Sequence, residues 1–293
     1  MSRGAPETLV NGETKIVGLF GEPVNHSLSP AMHNAAFREV GLNFCYLPFR
    51  VSRENLGSAM KAIVSLGLQG VNITAPHKEA ARQHLDKLSP EANFLEAVNT
   101  VKNIEGRLYG CNTDVDGFVY LLENNFGRNA FSGQKACLLG AGGAARAVSL
   151  ALARTGVQSL LIVNRTVARA KALAGLLIRG GVFRESEVRV LGLGKKIFPE
   201  FMTGTSLLIN AVSGDPVEHG FLPEENLPGC RAAIDLRYNP PQTAFMRWAE
   251  KRGIFSLNGL DMLLGQGLKA FEIFTGEKAP PETMRQALLQ QKL

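Results

Sequence analysis

No apolar run in the 293 residues approaches the roughly 20 consecutive residues that a membrane-spanning helix needs, so no membrane partner is expected. Residues 1–13 carry no apolar block of the kind a secretory leader has, and they read as a loose extension. Cysteine is scarce. Cys45, Cys111, Cys137 and Cys230 are scattered, with no C-x-x-C pair. Three of them lie in apolar, strand-like settings, which argues against a disulfide framework or a zinc site. Reduced thiols, a cytoplasmic location and no bound metal are the expectation. Blocks of Lys and Arg are missing too, as is any basic face interleaved with aromatics, so nucleic acid is not an expected partner despite a net charge of +6. An anionic substrate and an anionic cofactor would account for part of that charge. There is no internal repeat and no low-complexity stretch. What remains is a globular chain, 45% hydrophobic, long enough for two domains with unstapled cores.

The chain is organised around one stretch, Lys135-Ala-Cys-Leu-Leu-Gly-Ala-Gly-Gly-Ala-Ala-Arg146. A short apolar strand runs into a glycine turn, and the turn into an alanine-rich helix ending near Gly156. Gly140, Gly142 and Ala145 fall at the spacing G-x-G-x-x-G/A. The first glycine permits a tight turn and the second lets backbone N–H groups approach a pyrophosphate. The third small residue lets helix and strand pack closely. A second apolar strand follows at 159–163, the context in which this motif binds a dinucleotide. A strand–helix turn without a ligand is the alternative. At the end of that second strand stand Asn164, Arg165 and Thr166, then Arg169, where an NAD site usually has a carboxylate. A carboxylate would repel a 2′-phosphate, whereas a guanidinium can clamp one bidentately. NADP is therefore the expected cofactor, against the alternative that both arginines are merely solvated.

The part of the chain before this stretch alternates strand and helix, the pattern of an α/β domain with a mostly parallel sheet. A strand at 14–20 leads to His26-Ser-Leu-Ser-Pro30, where Ser29 before Pro30 predicts an N-cap. Ser27 and Ser29 then sit at the positive end of a helix, placed for a carboxylate unless Ser29 only caps. The next strand contains Val71, Asn72, Ile73 and Thr74; Asn72 and Thr74 share the face opposite Val71 and Ile73. Pro76 stops it, His77 reads as structural, and Lys78 is predicted to begin a helix. A lysine is poorly placed there for the helix dipole, which suggests function rather than propensity. Asn112-Thr-Asp114 precedes another predicted helix, where Thr113 or Asp114 could simply cap it.

The polar, glycine-bearing stretch 124–134 is the predicted domain boundary. Beyond it, strands at 135–139, 159–163, 188–190, 206–209 and 232–235, with helices near Gly143, Thr166, Lys195 and Gln242, follow the Rossmann order. Tyr238 leaves the last long strand and could reach a ligand. The predicted helix 258–274 carries Gln266, and a last one covers 280–289. Since the Rossmann sheet does not need these two helices, they are expected to return to the first domain. The expected division is 1–125 plus 258–293 for the substrate domain and 126–257 for the NADP-binding domain.

Taken together, the motifs resemble those of the shikimate dehydrogenase family. They are His26-Ser-Leu-Ser-Pro30, Asn72-Ile-Thr-Ala-Pro-His-Lys78, Ala97-Val-Asn-Thr100, Asn112-Thr-Asp114, Gly140-Ala-Gly-Gly-Ala144, Asn164-Arg-Thr166 and Gly259-Leu-Asp-Met-Leu-Leu-Gly-Gln266. The resemblance implies reversible reduction of 3-dehydroshikimate to shikimate with NADPH, a step of aromatic amino-acid biosynthesis. It implies Lys78 and Asp114 as the catalytic pair and Ser27 and Ser29 as carboxylate ligands. Asn72, Thr74, Asn99 and Gln266 would hold ring hydroxyls, with Tyr238 near the carboxylate. Gly140, Ala141, Gly142, Gly143, Ala144, Asn164, Arg165, Thr166 and Arg169 would hold NADP, with Val212, Gly259 and Met262 near the nicotinamide. Val212 stands where the family often has Thr. Two alternatives are a quinate-preferring enzyme, which the serine at 29 disfavours, and an inactive dinucleotide sensor, which the presence of both Lys78 and Asp114 disfavours. A monomer or a homodimer is expected.

Overall fold

The computed structural model describes residues 10–192, 202–212, 214–217, 222 and 226–291. The helix expected near Lys195 lies outside the described residues. The chain forms two compact units, Met1–Gly117 with Leu263–Lys292, and Phe118–Met262.

The first unit is built on a six-stranded sheet. Its strands are β1 (Lys15–Gly21), β2 (Phe44–Arg50), β3 (Gly70–Ile73), β4 (Lys87–Leu88), β5 (Thr100–Ile104) and β6 (Arg107–Cys111), in the order β2-β1-β3-β5-β6-β4. β1 pairs parallel with β2 and β3, β4 parallel with β6, and β5 antiparallel with both its neighbours. The central strands β1 and β3 are nearly continuously buried, as strands covered on both faces are. Helix α1 (Ser29–Glu39) buries Met32, Ala36 and Phe37, and α2 (Leu56–Ser65) buries Leu56, Met60 and Ile63, each at helical spacing. Ser89 caps α3 (Pro90–Leu95) by accepting from the Ala92 N–H at 3.1 Å, the start its Ser-Pro sequence predicts.

Two local expectations fail here. Ser29 is the first residue of α1, not its cap; Leu28 holds the cap position and no side chain caps the helix. No α-helix begins at Lys78. Residues 74–79 form turns and a short 3-10 helix spans Ala80–His84, so the dipole argument for Lys78 does not apply. Cap and helix signals are local, whereas this segment is held from outside: the Val98 N–H donates to the Lys78 carbonyl at 2.8 Å.

The second unit contains β7 (Lys135–Leu139), β8 (Ser159–Asn164), β9 (Val188–Gly192), β10 (Thr205–Asn210), β11 (Ala232–Asp235) and β12 (Phe255–Leu257). All are parallel, in the order β12-β11-β10-β7-β8-β9, so the strand order reverses between β7 and β10. That is the Rossmann arrangement, with its ligand crevice at the reversal. Helices α5 (Gly143–Arg154), α6 (Val167–Arg179) and α7 (Ala244–Glu250) follow β7, β8 and β11.

The remaining helices are α4 (Asp114–Phe126), α8 (Leu260–Thr275) and α9 (Pro281–Leu289). The divisions between the units fall inside α4 and α8 rather than in the 124–134 stretch. The end of α4 belongs with the second unit because Phe126 packs edge-on against Phe131 and Phe255, at 5.0 and 5.7 Å between ring centres. Most of α8 and all of α9 belong with the first unit. Phe271 stacks on Phe37 of α1, and Gly267 lies so close to Met32 that a methyl group there would meet its side chain at 2.2 Å.

Candidate active site

The first unit gathers its functional side chains at the ends of β1, β3 and β6. Lys78 donates to Asp114 Oδ2 at 2.5 Å, with the lysine side chain 20% exposed and the aspartate side chain 7%. Asp114 opens α4. Just before it, Asn112 Oδ1 accepts from the Asp114 N–H at 3.1 Å while the Asn112 amide donates to the Ala97 carbonyl at 3.0 Å. The second Asp114 oxygen accepts from Asn99 Nδ2 at 2.9 Å. Asn99 Oδ1 in turn accepts from the Thr113 N–H at 2.7 Å and from the Thr100 hydroxyl at 3.0 Å. Thr100 Oγ1 accepts from Asn72 Nδ2 at 2.9 Å, and Asn72 Oδ1 accepts from the Tyr46 hydroxyl at 2.8 Å.

Asn72 and Asn99 are therefore buried links of a continuous ladder that ends on the lysine. Both amides are taken up by protein partners, and neither is held open to a ligand here. Burial pushes the Tyr46 phenol well above its ordinary range, only partly offset by a hydrogen bond with the Ser29 hydroxyl. Ser29 is buried, and its backbone N–H donates to Ser27 Oγ at 3.3 Å, which brings the Ser27 hydroxyl over the uncapped start of α1. Thr74 is half-buried beside Gly21, where an added methyl would strike its side chain. His77 is buried and its ring donates to the Val51 carbonyl at 2.7 Å, a structural use. Gln266, on α8, donates to the Leu263 carbonyl at 2.8 Å.

The second unit carries the remaining expected residues: Tyr238, Val212, Gly259, Met262 and the glycine turn. Gly140 adopts φ +115°, a conformation other residues rarely reach, and sits against Ala211 and Val212. Gly142 occupies the cap position of α5 with no side chain capping the helix, and a Cβ placed on it would meet open space. Ala145 is fully buried against the sheet. A glycine turn leading to an uncapped helix of this length, with clear space over its second glycine, fits a pyrophosphate. Asn164 Nδ2 donates to the Thr166 carbonyl at 2.9 Å, which shapes the turn after β8. Arg165, Thr166 and Arg169 are exposed there, and the Thr166 hydroxyl does not cap α6. Gly259 passes so close to the Leu236 carbonyl that any side chain would collide at 2.0 Å. Tyr238 is half-buried, and burial raises its phenol.

Sequence reasoning missed the support around these groups. Tyr46, Thr100, Asn112 and Thr113 belong to the ladder of the first unit. In the second, Arg237 grips Asp235 through Nε and Nη2, at 3.1 and 2.7 Å, and reaches Asp215 at 2.9 Å. Asp235 also accepts from Thr243 and from Asn210, whose own Oδ1 accepts from the Val212 N–H. Burial would raise the Asp215 carboxyl, but Arg237 and nearby N–H groups hold it below its ordinary value. A polar residue alternating within an apolar strand, as Thr100 does, was the available signal; its partners come from distant strands.

Models of known families match along the chain. The shikimate dehydrogenase substrate binding domain matches residues 19–101, shikimate / quinate 5-dehydrogenase residues 121–195, and the shikimate 5′-dehydrogenase C-terminal domain residues 259–289. A shikimate dehydrogenase (NADP(+)) of Desulforamulus reducens is 43% identical over 286 residues, 96% of this chain and 97% of the relative. A solved shikimate dehydrogenase in complex with NADP+ superposes with a TM-score of 0.85 at 37% identity, covering 98% of each chain. The Thermus thermophilus enzyme, solved with NADP(H) and shikimate, gives a TM-score of 0.77 at 38% identity over 94% of this chain and 99% of that one. With relatives this similar along almost its whole length, the chain belongs to the shikimate dehydrogenase family.

Proposed function

We propose that Lys78 and Asp114 carry the family's reaction in this chain, the reversible reduction of 3-dehydroshikimate to shikimate with NADPH in aromatic amino-acid biosynthesis. The 2.5 Å pair between a partly exposed ammonium and a buried carboxylate is the observation that carries this reading. Bound NADPH supplies the hydride that goes to the substrate carbonyl carbon. Lys78 donates a proton to the carbonyl oxygen as negative charge develops on it, and takes that proton back in the oxidation direction. Asp114 keeps the ammonium aimed, and Asn99 keeps the carboxylate aimed. Ser27 and Ser29, with Tyr238, receive the substrate carboxylate, and Thr74 and Gln266 orient the ring, while Asn72 and Asn99 act through the ladder that holds Asp114. Their contribution is orientation rather than bond chemistry.

Gly140, Ala141, Gly142, Gly143 and Ala144 hold the pyrophosphate. Asn164, Arg165, Thr166 and Arg169 hold the 2′-phosphate, and Val212, Gly259 and Met262 border the nicotinamide. In this reading the chain divides between a substrate-binding part and an NADP-binding part. It works in the cytoplasm as a monomer or homodimer, a setting supported by its free thiols. The test is turnover of shikimate and of quinate, each with NADP and with NAD. Fastest turnover with shikimate and NADP is expected. Preference for quinate would reassign the substrate, and no turnover with any combination would leave a dinucleotide sensor.

A further inference from the structure

Tyr46 is fully buried in β2 and is fixed in three ways. Asn34 of α1 clamps its backbone on both sides, accepting from the Tyr46 N–H at 2.8 Å and donating to its carbonyl at 3.0 Å. His33 of the same helix lies flat on its ring, with centres 4.5 Å apart and planes 1° from parallel. The His33 ring is itself fully buried and neither nitrogen has a hydrogen-bond partner among the described residues, so it offers Tyr46 a surface and no competing polar contact. Held this way, the Tyr46 hydroxyl donates to Asn72 Oδ1 at 2.8 Å, with the Ser29 hydroxyl as its other neighbour.

That bond and the Asn99 carbonyl, which accepts from Asn72 Nδ2 at 3.2 Å, together hold the Asn72 amide with its NH₂ toward Thr100. Thr100, having accepted from Asn72, spends its own proton on Asn99 Oδ1. Asn99 then has its NH₂ left for Thr113 and Asp114. The Thr113 N–H, donating to Asn99 Oδ1 at 2.7 Å, holds the Asn99 amide in the same sense, and the last acceptor in the series is the carboxylate that holds Lys78. The first member is anchored to α1, the helix that begins at Ser29.

We propose that Tyr46 is a positioning residue of the reaction: its hydroxyl holds the Asn72 end of the Asn72–Thr100–Asn99 ladder and so links the Ser27–Ser29 end of the site to the Lys78–Asp114 pair. The proposal rests on the assignment of Lys78 as the proton carrier. Tyr46→Phe keeps the ring and its stack on His33 and removes the one donor. It should lower kcat by about 3- to 10-fold, the worth of one neutral hydrogen bond, and leave NADP binding to the second unit unchanged. Thr100→Val, which cuts the same ladder nearer the lysine, should lower kcat similarly.

The decisive comparison is a cycle in kcat, measured well below the unfolding midpoint of every variant. In a Lys78→Ala background the Tyr46→Phe change should have no further effect, because the ladder then aims nothing. An undiminished Tyr46→Phe loss in that background would overturn the proposal, as would wild-type kcat in both Tyr46→Phe and Thr100→Val. Near-normal turnover in Lys78→Ala alone would instead refute the assignment of Lys78 and is read separately from either result.

Discussion

Each unit contains a buried polar network, and the two differ in how they end. In the first, neutral amides and hydroxyls run from Tyr46 through Asn72, Thr100 and Asn99 to one ion pair. Among the described residues Asp114 is the only side-chain partner of the Lys78 ammonium, which leaves two of its protons free for other contacts. In the second, Arg237 is closed on Asp215 and Asp235, and Asp235 is also capped by Thr243 and Asn210. Nε and Nη2 of Arg237 together make three bonds to carboxylates, against the one bond that the Lys78 ammonium makes. The comparison teaches that ion pairing alone does not mark chemistry. What marks it is a charged group aimed by its surroundings and left unfinished.

The largest expected effect breaks the first network at its open end. Lys78→Ala should lower kcat by about 10²–10⁴, the usual scale of general acid–base help, with kcat/KM falling alongside. NADPH affinity should move little, whereas the thermal midpoint should fall, because removing the ammonium leaves the buried Asp114 carboxylate with only the Asn99 amide as side-chain partner among the described residues. Asp235→Ala breaks the closed network and should spare turnover. Removing a fully buried carboxylate from Arg237 should cost about 3–5 kcal/mol of unfolding free energy, read by chemical denaturation. A small stability change with a large fall in turnover would move Arg237 and Asp235 from scaffold to chemistry.

The pH dependence of stability sharpens the contrast. Burial lowers the His33 imidazole from 6.5 to about 3. Between those values the unfolded chain binds a proton that the folded chain does not. Stability is therefore full above pH 6.5 and is lost as pH falls, by up to about 1.4 kcal/mol per pH unit from this group. His33→Phe keeps the stack on Tyr46 and should flatten the profile over that window. Equal slopes in wild type and variant would contradict the burial of an uncharged His33. The smallest effect concerns the cofactor. Arg165→Ala should weaken NADP binding by about 1.5–3 kcal/mol, the range for a charge-assisted bond, and leave NAD binding unchanged. Equal losses for both would sink the 2′-phosphate assignment.

The elements of the second unit were more legible in the sequence than those of the first, for a physical reason. The glycine turn at 140–145 and the largely buried strands β7, β8 and β10 are local signals, and every pairing in that sheet except β7 with β10 joins consecutive strands. In the first unit, β3 pairs antiparallel with β5 after a 3-10 helix, a two-residue strand and α3 intervene, and no local pattern announces that. The motif residues Ser29, Lys78 and Asp114 are visible in the sequence, but the local settings of Ser29 and Lys78 are not. Ser29 was expected as a cap and is the first helical residue; Lys78 was expected on a helix and lies in a turn. Tyr46 and Thr100 went unseen because their roles depend on side chains from strands 26–54 residues away in sequence, through Asn72.

The central claim is that Lys78 and Asp114 act as one unit, and a double-mutant cycle in kcat tests it most directly. Lys78→Ala, Asp114→Asn and the double variant would be assayed for shikimate oxidation with NADP. The account predicts that each single change is severe and that the double variant is little worse than Lys78→Ala, a coupling of about 1–3 kcal/mol. Losses that simply multiply would show that the two residues work independently and would contradict the account.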